Sequence, residues 1–331
     1  MQEEAMGRLP VSILIGCIAT LAVIQNPGLS SAQEWPTKVV RVIVPLTVGG
    51  GGDIFARAIS EELKNDLGQP FVVENRSGAA EIIGTRACAE APPDGYTLCV
   101  TSQEPIVFNQ VLFKSLPYDP EKDLVPIAML YSNPAVIAIT ASRGINSLAE
   151  MVAAAKAKPG TLTYGTFAFP LEMLMNRLNK ENGIDIAKVS FRGGGDLATA
   201  MLADSTPIGA VGTANVMPFL EDGRFKALAT NGAQRMRKFP DVPTLSELRK
   251  GEQYPPSWFG LFAPASTPSA IVGRLAQATA RNLAKPAFRD KMYEPRGVVY
   301  VDLQLDAFAS FIREDRAIAA RMVKESGIQP R

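Results

Sequence analysis

Four consecutive glycines, Gly49 to Gly52, follow an apolar β-branched run, Val39–Val44, and a proline, Pro45. Asp53 then opens a segment in which Ile54, Ala58 and Leu63 share one helical face. Strand, glycine loop and helix in that order direct unpaired backbone N–H groups outward, with no Cβ in the way. A helix N-terminus adds further donors and partial positive charge. The chemistry on offer is capture of a small anion, and a purely structural tight turn is the competing reading. A nucleotide phosphate does not fit. The P-loop needs a lysine after the glycines, and in G-x-G-x-x-G the last position would fall on Ile54 or Phe55. Asp53 reads as an N-cap before a ligand contact, because its carboxylate would repel an anion.

Three further places offer donors. Ser102 and Gln103 follow the strand Tyr96–Thr101. Tyr164–Phe169 forms a second loop between strand and helix, and its Thr166, Phe167, Ala168 and Phe169 stand before Pro170. The two phenylalanines suit either the core or a ligand. Arg192 and Gly193 sit at another strand–helix junction, where the arginine is either a surface residue or a carboxylate partner.

Other chemistry is excluded. The chain contains no histidine, which rules out Ser-His-Asp and Cys-His catalysis and every metal motif that needs imidazole. It has no G-x-S-x-G elbow and no C-x-x-C pair. We therefore expect no catalytic residue, no metal and no cofactor. A net charge of +1 favours neither nucleic acid nor an anionic membrane as partner. Cys88 falls on a helix and Cys99 in the next strand. A disulfide is geometrically possible, but two small buried thiols are the expected arrangement.

The elements that must position these residues alternate along the whole chain. Strands are expected at Phe71–Glu74, Tyr96–Thr101, Ile127–Tyr131, Ala135–Thr140, Leu162–Gly165, Lys188–Phe191, Pro207–Val211, Ala227–Thr230 and Trp258–Ala263. Helical segments lie between them, and three more fall between Pro268 and Lys324. This predicts an α/β protein with parallel sheets covered by helices on both faces. At 331 residues the chain is long enough for two cores. Two strand–loop–helix mouths place the expected site in a cleft.

The N-terminal segment reads as an export signal. Arg8 precedes the apolar run Val11–Ile24, and Ser30-Ser31-Ala32 supplies small residues for cleavage after Ala32. Translation from Met6 would give a cleaner basic start. Leu14-Ile15-Gly16-Cys17 fits a lipobox, but the apolar run continues past Cys17 and argues against cutting there.

A set of short motifs resembles a known family. Trp35-Pro36-Thr37-Lys38 leads into Val44-Pro45 and the glycines. Leu67-Gly68-Gln69-Pro70, Val73-Glu74-Asn75-Arg76 and Pro93-Asp94-Gly95-Tyr96-Thr97-Leu98 follow. Leu116-Pro117-Tyr118-Asp119-Pro120, Lys158-Pro159-Gly160, Phe239-Pro240-Asp241-Val242-Pro243-Thr244 and Trp258-Phe259-Gly260-Leu261 continue in order. Together they resemble the tripartite tricarboxylate transporter receptors, the Bug family of periplasmic solute-binding proteins.

The resemblance implies two Rossmann-like lobes with central sheets in the type II periplasmic-binding-protein, or flytrap, architecture. Residues 33–132 plus 242–331 would form lobe 1 and residues 133–241 lobe 2, with residues 1–32 the signal peptide. Strands would cross near Tyr131–Ala135 and Ala229–Pro243. The family's carboxylate-binding loops carry over to Thr47, Val48, Gly49, Gly50 and Gly51, and to Thr166–Phe169. The chain departs from the family where Thr166-Phe167-Ala168-Phe169-Pro170 replaces alternating glycine and serine, and where Val211 replaces an aspartate. From these departures we expect a ligand with one carboxylate and an aromatic or apolar body, over citrate or an amino acid.

The implied function is a periplasmic, monomeric receptor that delivers a small organic carboxylate to membrane transporter subunits. The alternatives are an accessory that presents ligand to a membrane sensor kinase, and a secreted enzyme acting on a carboxylate.

Overall fold

A computed structural model describes residues 35–249 and 255–330. The expected signal peptide and lipobox lie outside the described residues. No helix among the described residues is long and apolar enough to cross a membrane.

The chain begins with β1 (Val40–Val44), α1 (Gly51–Leu67), β2 (Phe71–Asn75), α2 (Ile82–Ala89) and β3 (Thr97–Ser102). One turn of π-helix, Glu104–Phe108, leads through α3 (Asn109–Leu112) to the long strand β4 (Leu124–Asn133). There follow β5 (Ala135–Thr140), α4 (Leu148–Ala157), β6 (Thr163–Thr166), α5 (Phe169–Asn182), β7 (Ala187–Ser190) and α6 (Gly194–Leu202). Next come β8 (Ile208–Gly212), α7 (Thr213–Glu221), β9 (Phe225–Thr230) and α8 (Leu245–Leu248). The chain closes with β10 (Ser257–Pro264), α9 (Ser269–Ala284), α10 (Pro286–Met292) and α11 (Leu305–Ser326).

The strands form two five-stranded sheets, ordered β2-β1-β3-β10-β4 and β7-β6-β8-β5-β9. Both are mixed, which corrects the expectation of parallel sheets. β10 runs antiparallel to β3 and β4, and β5 runs antiparallel to β8 and β9. The cause is the crossing. A parallel neighbour needs a crossover helix to bring the chain back round. β4 instead runs on through Pro134 into β5, so β5 enters the second sheet with no helix to turn it.

Each sheet has apolar residues on both faces, so its inner strands read as continuous hydrophobic runs. β3 and β5 are buried at every position. On one face of the first sheet, Val42, Val44 and Leu98 pack with Phe55, Ile59 and Leu63 of α1 and Leu275 of α9. On the other, Ile43 and Phe262 meet Ile106, Phe108 and Phe308. The second sheet buries Ile137 and Tyr164 against α5 on one side, and Val136 and Val211 against α6 and α7 on the other.

Cys88 in α2 and Cys99 in β3 are both fully buried and form a disulfide, with Cα atoms 6.1 Å apart. This corrects the expectation of two free thiols. α2 lies directly against the first sheet, which brings the helix position onto the strand position eleven residues on. Closing so short a loop restricts the unfolded chain by about 2–3 kcal/mol. Reduction should therefore lower the urea midpoint by a corresponding amount, and Cys99→Ala should do the same without reductant. Equal midpoints with and without reductant would show that the bond contributes nothing.

Candidate functional site

The two glycine-bearing junctions meet each other. The backbone of the first loop packs on the segment Gly193–Gly195 and on the start of α7. A Cβ on Gly51 would lie 2.6 Å from the Ala214 Cβ, and one on Gly193 would lie 2.6 Å from the Thr47 hydroxyl. No side chain fits at either position without moving backbone. The Gly51 N–H donates to the Asn215 side-chain oxygen at 2.8 Å, which joins the two lobes. The Gly49 N–H donates to the Asp53 carboxylate at 3.0 Å. Two of the loop's amides thus serve acceptors belonging to the protein.

The crossing strand fastens the same seam. The Asn133 side-chain oxygen, at the end of β4, accepts the Ala214 N–H at 3.2 Å. The Thr213 hydroxyl donates to the Gly297 carbonyl at 3.0 Å, tying α7 to the C-terminal part of the first lobe.

Beside the seam lies a compartment of about 50 Å³ between the sheets. Glu81, Ser102, Gln103 and Glu104 line it from the first lobe, and Phe167, Ala168, Pro170, Leu171 and Leu174 from the second. Asn133, Ala135, Asn231, Ser257 and Phe259 line the crossing end. An aromatic column, Phe55–Tyr131–Phe259, runs from the first core to this wall, with ring centroids 4.0 and 4.9 Å apart.

Two buried carboxyl groups dominate its electrostatics. Glu81 accepts from the Ser102 hydroxyl at 2.5 Å, the Thr101 hydroxyl at 3.2 Å and the Ser102 N–H at 3.4 Å. The Ser102 hydroxyl oxygen in turn accepts the Glu104 N–H at 3.1 Å. Glu104 crosses the cleft, and its two oxygens share the Phe169 N–H at 3.1 and 3.3 Å. Phe169 is the first residue of α5, whose N-cap Ala168 has no side-chain acceptor. Glu104 therefore caps a helix of the other lobe. Burial raises Glu81 from 4.5 to about 7, partly offset by its bonds to Ser102 and Thr101. Burial raises Glu104 from 4.5 to about 8, opposed by the Phe169 N–H and reinforced by Glu81 and Glu172. Lys188, ion-paired with Glu172, pulls the other way.

Glu81 is aimed by an unusual backbone. Ala79, Ala80 and Glu81 have φ of 48°, 52° and 68°. Left-handed geometry costs non-glycine residues roughly 1–2 kcal/mol each. The Asn109 side-chain amide holds the turn by donating to the Ala80 carbonyl at 2.8 Å.

The residues singled out from the sequence thus fall into separate groups. Ser102, Gln103, Phe167 and Ala168 line the compartment. Thr47, Val48, Gly50, Gly51 and Gly193 form the seam, with Gly49 exposed at its edge. Asp53 is not an N-cap: α1 begins at Gly51, so Asp53 lies in the first turn, reaches back to Gly49 and pairs with Arg57 at 2.9 Å. Thr166 faces a neighbouring groove, and the Phe169 ring packs into the core beside Phe108. Arg192 is exposed and pairs with Asp196. Glu81, Glu104, Asn133, Asn231 and Phe259 did not stand out in the sequence. Glu104-Pro105 directly after a buried strand was the one available signal, since a carboxylate there must enter the protein or the cleft.

Two α/β lobes joined by crossing strands around an enclosed compartment define a periplasmic binding protein of the flytrap type. The family described as the tripartite tricarboxylate transporter family receptor matches residues 55–328, and the chain belongs to it. It is 31% identical over 301 residues to a UPF0065 protein of Bordetella bronchiseptica, covering 91% of this chain and 89% of that protein. Among solved structures it resembles R. palustris Rpa4515 with adipate, at 27% identity and a TM-score of 0.83, over 90% of this chain and all of that one. It also resembles MatC from Rhodopseudomonas palustris with bound malate, at 27% identity and a TM-score of 0.77, over 87% and 99% of the two chains. The family is one of solute-binding receptors.

Two outcomes follow from this geometry. Gly51→Val should leave circular dichroism unchanged but hold the lobes apart, giving a larger radius of gyration by X-ray scattering; an unchanged radius would show that the seam tolerates a side chain. The second concerns pH. The folded protein retains protons on Glu81 and Glu104 that the unfolded chain, with carboxyls near 4.5, has released. Stability should therefore fall as pH rises from about 4.5 to 8 and level off above. Glu104→Gln should flatten the upper part of that fall in urea titrations, and a variant profile parallel to wild type would refute the assignment.

Proposed function

We propose that this chain is a periplasmic receptor that captures a small organic carboxylate between its lobes and delivers it to membrane transporter subunits. The observation that carries the reading is the seam where the two lobes meet beside a lined compartment: parting the lobes there would admit a small organic acid, and closing them would hold it. Adipate and malate in two structural relatives give the ligand class its support. Lobe 1 comprises residues 33–132 and 242–331, and lobe 2 residues 133–241. Residues 1–32 direct export and are removed, and the mature chain acts as a monomer.

On this reading the ligand lies against Ser102, Gln103, Phe167 and Ala168, while Thr47–Gly51 and Gly193 serve closure. Asn133, Asn231 and Ser257 face the ligand carboxylate at the crossing end. Phe167 offers apolar area to the ligand body, whereas Phe169 belongs to the core. On this reading the protein releases its ligand unchanged.

A thermal-shift panel of mono-, di- and tricarboxylates and aromatic acids on refolded protein tests this. A binder at a hundredfold its Kd should stabilise the fold by about 2.7 kcal/mol. Mass analysis after long incubation should return that ligand unchanged. Failure of every carboxylate to raise the melting temperature would overturn the reading, and turnover above background would revive an enzyme.

A further inference from the structure

Glu104 occupies a position at which a ligand anion would be stabilised. The N-terminus of a 14-residue helix, α5, opens onto the cleft with no side-chain cap of its own. Such an end binds carboxylates through its free N–H groups and its partial charge. Here the carboxyl group comes from the protein, across the cleft, with both oxygens on the Phe169 N–H.

The rest of the compartment agrees with that placement. Glu81 stands on the same wall, linked to Glu104 through Ser102. The rings of Phe167 and Phe259 flank the space, and no lysine or arginine lines it. A second ligand carboxylate reaching this wall would be buried with no lysine or arginine lining the space, and would find a donor there only while Glu104 keeps its proton, so its burial is costly. A protonated amine would meet acceptors with spare lone pairs and aromatic faces that attract cations. A ligand with one carboxylate and one amine would also enter with no net charge.

We propose that Glu104 determines the ligand class of this cleft: by seating the protein's own carboxyl group at the N-terminus of α5, it makes that wall an acceptor for a ligand ammonium or N–H and turns away a second carboxylate. The inference rests on the receptor reading above. It predicts an amino-carboxylate, with the carboxylate toward Asn133 and Asn231 and the nitrogen toward Glu104.

Matched aliphatic acids test it by calorimetry. At each chain length from three to eight carbons, the ω-amino acid, the α,ω-diacid and the plain monoacid differ only in the distal group. 4-Aminobutanoate, succinate and butanoate are the four-carbon set. Wild type should bind the amino acid of at least one set tenfold or more tighter than its diacid and monoacid. Glu104→Gln, whose side-chain oxygen can still accept the Phe169 N–H, should cut that preference at least tenfold. A diacid or monoacid that equals or outbinds the amino acid in every set that binds would overturn the inference and leave the receptor standing. A preference undiminished in Glu104→Gln would remove Glu104 from the role. Absence of binding in every set would also overturn the inference, and the wider carboxylate panel would then decide separately whether the receptor reading survives.

Discussion

Everything in the cleft depends on how closely two stretches of backbone approach. At the seam the first glycine loop and the Gly193–Gly195 segment approach so closely that only the Asn215 side chain and the Thr47 hydroxyl share the contact, and Gly51 has no room for even a methyl group beside Ala214. Contact at that range lets a loop amide reach Asn215 in the other lobe. It also lets the Glu104 carboxyl reach the first amide of α5. If the lobes stood one side-chain diameter further apart, both cross-cleft bonds would be lost together, since hydrogen bonds weaken steeply beyond about 3.2 Å. The glycines act here mainly by their small size, and the positive φ of Gly49 is the one conformational demand in the loop.

Opposed to closure is the burial of two ionisable groups. A carboxylate removed from water without a counter-ion is expensive, and proteins commonly avoid the cost by keeping the proton. Glu81 does so only partly, because three donors stabilise its charged form. Glu104 has one shared donor and a second carboxyl nearby, so it is pushed further. The left-handed turn at Ala79–Glu81 adds a local cost that packing in the first lobe must cover. The two ionisable groups and the strained turn thus gather at one wall of the cleft, while the seam carries a smaller cost in the buried, unpartnered hydroxyl of Thr47.

The sequence showed the order of elements and the two loop mouths because those signals are local: β-branched runs, turn residues and helical periodicity all lie within a few positions. Strand direction was not legible, since the antiparallel entries of β5 and β10 follow from where the chain changes sheets. The Cys88–Cys99 bond required knowing that α2 lies flat on β3. That the glycine loop lies against a second glycine segment more than a hundred residues on is a long-range contact with no local signal. Glu81 and Glu104 were hidden for a related reason. A glutamate before a helix or after a strand is ordinarily solvated, but here the end of β3 encloses Glu81 and α5 meets Glu104.

Two of the helix N-termini at the cleft, the usual means of holding an anion, already hold acceptors of the protein. At α1, Asp53 takes the Gly49 amide and Asn215 the Gly51 amide. At α5, Glu104 takes the Phe169 amide. In the closed protein a ligand anion could gain either end only by displacing a bond that also fastens the lobes or their loops. Donor groups face no such competition, because Glu104 shares a single N–H between two oxygens and retains lone pairs toward the compartment. At these two helix ends much of the capacity to hold an anion is thus taken up by side chains of this chain itself.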